Sequence, residues 1–105
     1  MGQSSVAVLR ISGPGSFKIA RRLSSTKRDR KHHEIALLDI FNNRGKKIDK
    51  AIFTFFLSPK SYTGEDIVEI SCHGNPFISK SIIRRCVQLG ARIAEPGEYT
   101  KRAFM

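Results

Sequence analysis

Residues 61–74 read S-Y-T-G-E-D-I-V-E-I-S-C-H-G and form the most informative stretch of the chain. Thr63-Gly64 is typical of a turn, and the apolar run over residues 66–72 predicts a strand. Glu69 shares the strand face of Ile67, a core-facing position rarely given to glutamate, because a buried carboxylate without partners is costly. Two interpretations follow: Glu69 has a partner in the protein or a ligand, or it points to water from an edge strand.

The rest of the chain predicts an α+β domain with a mixed sheet of about five strands and two to three helices on it. Residues 42–45, N-N-R-G, favour a hairpin turn. Residues 51–57 are apolar at nearly every position, which predicts a central strand covered on both faces. Asn75-Pro76 predicts a helix start, with Phe77 in its apolar stripe. The predicted strands are 6–12, 34–41, 48–57, 66–72 and 91–94; the predicted helices begin at Pro14 or Ser16 and at Pro76, with a third beginning near Thr100.

Length and composition bound the class of protein. The chain has 105 residues, 40% of them hydrophobic, which fits one small globular domain. No apolar run approaches the roughly 18 residues that a membrane span requires, and Met1 does not begin a signal-peptide pattern. These features make the cytoplasm the expected location and argue against a membrane partner.

The formal net charge is +10, from 19 basic and 9 acidic residues. Such an excess favours an anionic partner such as RNA. The densest basic runs, residues 27–31 and 44–50, fall in predicted connections, so a solvated surface is the simpler interpretation. No aromatic residue interrupts these runs, which gives no support to a base-stacking platform in them.

The motifs of common catalytic sites are missing from the sequence. There is no phosphate-binding loop, and Gly13-Pro14-Gly15 reads as a plain turn. Cys72 and Cys86 lie among apolar neighbours and are predicted to be buried free thiols. Cys72 and His73 are adjacent in a strand, so their side chains should diverge, and no metal site is predicted.

One candidate binding site remains, formed by Arg10, Glu69 and the charged turn over residues 95–102. A carboxylate can accept two parallel N–H bonds from an amino-pyrimidinone ring, and an arginine fork suits a ligand carboxylate or orients the glutamate. The alternative is that Arg10 and Glu69 simply pair with each other.

Four motifs then point to a family. They are R-I-S-G at residues 10–13, S-Y-T-G-E-D-I-V-E-I at 61–70, C-H-G at 72–74, and A-E-P-G-E-Y-T-K-R-A-F at 94–104. Together they resemble the N-terminal domain of the tRNA modification GTPases of the MnmE family, also called TrmE. The resemblance covers essentially the whole chain.

The resemblance implies a fold like the tetrahydrofolate-binding domain of the glycine cleavage T protein. It also implies a homodimer that binds 5-formyl-tetrahydrofolate or a related reduced folate near the dimer interface. Full-length members of the family are expected to work with the flavoprotein MnmG on carbon 5 of the wobble uridine of tRNA, with the folate as one-carbon donor.

Two folate contacts of the family match this sequence. Arg10 matches the arginine of R-I-S-G, and Glu69 matches the second acidic residue of G-E-D-x-x-E. A third contact, a lysine in an L-N-x-K segment after the A-F motif, would lie beyond Met105. Asn75 stands where the family has the last glycine of H-G-G.

The GTPase and helical domains of the family are missing from this sequence. Residues 1–105 are therefore expected to form one domain that is truncated at both ends. With neither a catalytic motif nor a GTP-binding motif, the sequence leaves open whether the chain is an enzyme. Two alternatives to folate binding also stay open: a basic RNA-contacting domain, or a purely structural dimer module with a decayed folate site.

Overall fold

The computed structural model describes residues 5–26, 28, 30–58 and 64–97. Within these residues the chain forms four strands and two helices, which confirms the α+β class. The elements are β1 (Val6–Ser12), α1 (Ser16–Ser24), β2 (Ile35–Phe41), β3 (Lys47–Phe56), β4 (Ile67–His73) and α2 (Pro76–Gln88). The turn at Thr63, the charged residues 98–102 and the helix expected near Thr100 lie outside the described residues.

The strands form one sheet in the order β1-β4-β3-β2, and each neighbouring pair is antiparallel. The predicted mixed sheet and the fifth strand at residues 91–94 are therefore wrong for the described residues. One cause explains both errors. A fifth strand after α2 would have made the sheet mixed, because a strand that follows β4 through a helical crossover can pair parallel to the sheet. Instead, the Ala91 N–H donates to the Cys86 carbonyl at 3.0 Å, at the end of α2, and residues 91–94 pair with no strand.

Both helices cover the same face of the sheet, which we call the covered face. The core lies between them and the alternate residues of the strands. Phe17 of α1 meets Phe55 of β3 edge to face, with ring centroids 5.3 Å apart. The buried core residues are Ile11, Ala20, Leu23, Ile40, Ala51, Phe53, Phe55, Val68, Ile70, Cys72, Ile82 and Cys86.

The opposite side of the sheet, the open face, has no helix on it among the described residues. The expectation that β3 is covered on both faces is therefore wrong. Strand β3 is interior to the sheet, as predicted, but Ala51 and Phe53 are buried while Ile52 between them is 46% exposed. An apolar residue at every position shows a strong strand tendency, but it cannot show that a second layer exists to cover the far side.

Helix α2 begins as the sequence predicts. The Asn75 side-chain oxygen accepts a hydrogen bond from the Phe77 N–H at 2.8 Å, and Pro76 occupies the first turn. Phe77 itself, however, is 78% exposed, so its assignment to the apolar stripe is wrong. The stripe that meets the sheet is centred on Ile82 and Cys86, and Phe77 lies on the other side of the helix.

The basic connection between α1 and β2 is less solvated than its composition indicates. The Arg30 side chain is only 7% exposed, and its Nη1 lies 2.9 Å from Oε2 of Glu34. Its guanidinium also stands over the Phe55 ring, 5.7 Å from the centroid. A hydrogen bond from the Lys31 N–H, followed by Arg30 and Arg28, lowers the pKa of Glu34. Arg30 thus closes one end of the core.

Candidate functional site

Arg10 and Glu69 are brought together on the open face. Strands β1 and β4 pair so that the two residues stand directly opposite each other. Nε of Arg10 donates to Oε2 of Glu69 at 2.8 Å, and the side chains are 49% and 30% exposed, respectively. Arg10 and Glu69 thus come together as predicted, and they pair with each other as the alternative interpretation expects; whether they also bind a ligand stays a prediction.

The interpretation that Glu69 has a partner is confirmed, because Arg10 pairs with it. The edge-strand interpretation and the core-facing position are both wrong. Strand β4 lies between β1 and β3, so Glu69 is not on an edge strand. Nor does it face the core, because Val68 and Ile70 on either side of it face the helices. Glu69 is instead an interior-strand carboxylate on the open face, with Arg10 on one neighbouring strand and Thr54 on the other.

The third predicted component is only partly placed. Residues 95–97 are exposed beyond the end of α2, and residues 98–102 are outside the described part of the chain. Ile93 and Ala94, just before this turn, line a cavity of about 370 Å³ to which Arg10 also contributes. The start of this C-terminal segment therefore lies near Arg10.

This cavity does not coincide with the carboxylate. Its walls are mostly apolar and come from the β1 end, the turn at Gly13-Pro14-Gly15, α2 and residues 90–94. Glu69 is not among its lining residues. We place the candidate site on the open face at Arg10–Glu69, because the recognition chemistry lies there, while the cavity offers mainly apolar surface.

Exposed apolar side chains lie beside the ion pair on the open face. In the next cross-strand row, Val8, Ser71, Ile52 and Leu37 stand side by side across all four strands. Val8, Ile52 and Leu37 are all exposed, and Leu37 reaches 61%. Val6 and Ile35 extend this apolar surface. Several exposed apolar side chains grouped on one face of a sheet are typical of an interaction site.

A second polar pair lies at the end of β4. The buried carboxylate of Asp49 accepts hydrogen bonds from the His73 backbone N–H at 3.1 Å and from its Nδ1 at 2.8 Å. Burial acts to raise the pKa of Asp49, but these hydrogen bonds and one from the Lys50 backbone outweigh it and lower that pKa. The pair joins β3 to the end of β4, and it was not predicted from the sequence.

The cysteines behave as buried thiols, as predicted. Cys72 and Cys86 are free and buried. Burial raises the pKa of Cys72, and it raises the pKa of Cys86 to about 11, so neither thiol is activated. Cys72 faces the core while His73 is exposed, which confirms that they diverge. Among the described residues, no group of three or more His, Cys, Asp or Glu side chains is placed to hold a metal ion.

Comparison with known proteins assigns the class. The family described as "GTP-binding protein TrmE N-terminus" matches residues 1–105, so the chain belongs to the TrmE N-terminal family. It is 44% identical over 103 residues to the tRNA modification GTPase MnmE of a Nitratiruptor species, covering 98% of this chain and 23% of that protein.

Two further relatives agree. The tRNA modification GTPases MnmE of Thermotoga maritima and Aquifex aeolicus are 43% and 39% identical to the chain over 104 residues. In each case the match covers 99% of this chain and 23% of the relative. The chain thus spans about a quarter of the length of the curated relatives that it matches.

Proposed function

We propose that the chain is the reduced-folate-binding and homodimerisation module of a tRNA modification GTPase. The observation that carries the proposal is the Arg10–Glu69 pair on the open face, which joins edge strand β1 to interior strand β4 beside exposed apolar residues. The Arg10 and Glu69 positions are the two at which the family resemblance implies a folate contact.

The geometry of the pair suits recognition of a pterin ring. Arg10 donates to one carboxylate oxygen of Glu69 through Nε, which fixes the orientation of the carboxylate. A carboxylate has about four acceptor sites, so Glu69 can still accept two parallel N–H bonds from an amino-pyrimidinone. Glu69 therefore makes the contact with the ring. Arg10 orients that carboxylate in addition to the folate contact that the resemblance implies for it, and neither residue does chemistry on the one-carbon group.

Calorimetric titration with 5-formyl-tetrahydrofolate tests this role. Glu69→Ala should weaken binding by about 2–5 kcal/mol, because it leaves the donors of the ring without partners. Glu69→Gln should also weaken binding, because one oxygen becomes an amide donor that opposes a ring N–H. Asp39→Asn is the matched control: Asp39 is an ion-paired carboxylate elsewhere on the open face, and its loss should leave affinity unchanged. Equal affinity of Glu69→Ala and the unchanged chain would falsify the assignment.

The open face also supports the homodimer. Val8, Ile52 and Leu37 lie in one row beside the ion pair, so a second copy that covers this row would also approach the folate site. Burial of these side chains between two copies would remove their apolar surface from water and so favour association. A symmetric dimer requires one self-complementary patch, and the exposed apolar residues of this row are the surface we propose for it.

Sedimentation velocity tests the dimer. The chain should sediment as a dimer, and Leu37→Lys should convert it to a monomer by placing a charge in the apolar row. Val87→Lys is the control, because Val87 is an exposed apolar residue of α2 on the other side of the sheet. A monomeric chain without substitutions would contradict the dimer. A dimer that survives Leu37→Lys would place its interface away from the open face.

The wider assignment rests on the family. The relatives are named tRNA modification GTPases, which makes tRNA, and a partner flavoprotein of the MnmG type, the proposed context of the whole protein. A cytoplasmic location follows from the same proposal. No helix in the described part of the chain is long and apolar enough to cross a membrane.

A further inference from the structure

Phe77 has the most exposed large apolar side chain of the described residues, at 78%. It lies in the first turn of α2, which the Asn75 cap holds in place through the Phe77 N–H. The core side of this helix is formed by Ile82 and Cys86. The ring of Phe77 is directed away from that side, so the core does not account for an aromatic residue at this position.

Two cations share this outer side of α2. Lys80 and Arg84 follow Phe77 at intervals of three and four residues, the spacing that places side chains on one helical face. Both are exposed. Neither forms an ion pair or a side-chain hydrogen bond with a described residue. Phe77, Lys80 and Arg84 therefore form an exposed aromatic and cationic surface, which we call the α2 outer face.

Helix α1, which packs beside α2, carries further exposed positive charge. Lys18 and Arg22 are four residues apart, exposed, and opposite the buried Ala20 and Leu23. Helices α1 and α2 contact each other on the same side of the sheet. Each helix has three basic residues and no acidic residue, so no carboxylate in either helix neutralises these cations.

We propose that the α2 outer face binds single-stranded RNA, with the Phe77 ring stacked on an unpaired base. Lys80 and Arg84 contact the flanking phosphates, and Lys18 and Arg22 extend the path of the backbone over α1. An aromatic ring beside free cations is the arrangement by which proteins bind single strands without reading their sequence. The choice of RNA over DNA rests on the proposed role in tRNA modification; the surface itself does not depend on it.

Two other partners fit the surface less well. A helix that lies on a membrane needs a broad apolar face turned to the lipid, whereas α2 buries the centre of its apolar face, Ile82 and Cys86, against the sheet. A nucleic acid duplex offers its phosphates but keeps its bases stacked and paired, so it would leave Phe77 without a function.

Fluorescence anisotropy of a labelled oligouridylate over a series of salt concentrations tests the proposal. Phe77→Ala should weaken binding about tenfold, within the range found for loss of one stacked base. Phe77→Leu should weaken it similarly, because leucine keeps the apolar contact but cannot stack. Phe77→Tyr should retain the affinity, because the ring is kept.

The cations are tested through the salt dependence. Lys80→Gln and Arg84→Gln should each lower the slope of log affinity against log salt by about 0.7, the value per phosphate for a single strand. Lys46→Gln is the matched control, because Lys46 is exposed in the β2–β3 hairpin, outside the proposed surface. The slope of log affinity against log salt for Lys46→Gln should equal that of the unchanged chain.

Several outcomes would overturn the proposal. They are unchanged affinity in Phe77→Ala, equal binding of duplex and single-stranded RNA, or Phe77-dependent binding to phosphatidylserine vesicles in place of RNA. Circular dichroism melts separate loss of binding from loss of fold, and an exposed residue such as Phe77 should leave the melting temperature unchanged. All of these variants should still bind 5-formyl-tetrahydrofolate, since Arg10 and Glu69 lie on the opposite face.

Discussion

The two faces of the sheet are formed by the same strands, but their side chains differ in burial and in polarity. On the covered face, Phe53 of β3 and Ile70 of β4 are fully buried against helices. On the open face, Ile52 is half-exposed and Glu69 forms an ion pair with Arg10. The difference shows that strand residues contribute to stability where a second layer covers them, and are available for recognition where it does not.

Neighbouring residues of β3 give the largest expected contrast. Phe53→Ala should lower the free energy of unfolding by about 3–5 kcal/mol, because it opens a cavity in the core. Ile52→Ala, one residue away on the open face, should cost about 1 kcal/mol or less in a monomer, because that side chain is already half in water. Urea unfolding measures both.

The same two variants, Phe53→Ala and Ile52→Ala, also test whether the open face forms a dimer interface. The cost of Ile52→Ala should then increase with protein concentration, because association stabilises only the folded state. The cost of Phe53→Ala should stay the same. A large cost of Ile52→Ala that does not depend on concentration would mean that the open face is covered within one chain.

Asp49 gives an intermediate effect at the end of the covered face. Asp49→Asn should cost about 1–3 kcal/mol, because it weakens two hydrogen bonds to His73 and leaves an amide N–H₂ opposite a donor. Chemical denaturation at neutral pH measures this change. A loss below a few tenths of a kcal/mol would show that the His73 contacts do not contribute to folding.

Asp49 should also contribute to the acid dependence of stability. Its folded pKa is lowered, so its stabilisation is fully present above the unfolded value of 3.8 and is lost as the pH falls through the folded pKa. The free energy of unfolding should therefore fall less steeply with acid below about pH 4 in Asp49→Asn. An identical slope in both proteins would contradict the lowered pKa.

The Arg10–Glu69 pair should give the smallest effect on stability. A double-mutant cycle with Arg10→Ala and Glu69→Ala should yield a coupling of about 0.2–1 kcal/mol, because both side chains are substantially exposed and water screens the pair. The coupling should decrease in high salt. A coupling of several kcal/mol would mean that the pair is a structural element of the fold, and would weaken the case for ligand recognition.

Local patterns predicted most of the elements. Three local signals are confirmed: the alternation over residues 6–12, the Asn and Gly residues of the β2–β3 hairpin, and the Asn75 cap. Each of them depends only on residues close together in the sequence. The fifth strand predicted at residues 91–94, which the described structure does not form, shows the limit of this reasoning. Residues 91–94 look like a strand in isolation, but a strand needs a partner, and the first N–H of the segment bonds to the end of α2.

The candidate site divides in the same way. The sequence singled out Arg10 and Glu69, because a charged residue in an apolar strand is a local anomaly. It could not show that the two are direct neighbours, because strand register between residues 59 positions apart is a long-range property. The Asp49–His73 pair was missed for that reason, and Arg30 was missed because its burial depends on the position of Phe55.

The sequence by itself determined the α+β class, the interior strand β3, the start of α2 at Asn75, and the family. These follow from hydrophobic periodicity, caps and motifs, which are encoded in contiguous residues. Only the tertiary structure decided that both helices lie on one face, that Glu69 lies on the other, and that Phe77 points away from the core. The physical reason is that burial depends on which surfaces meet, and a strand or helix pattern cannot specify its partner.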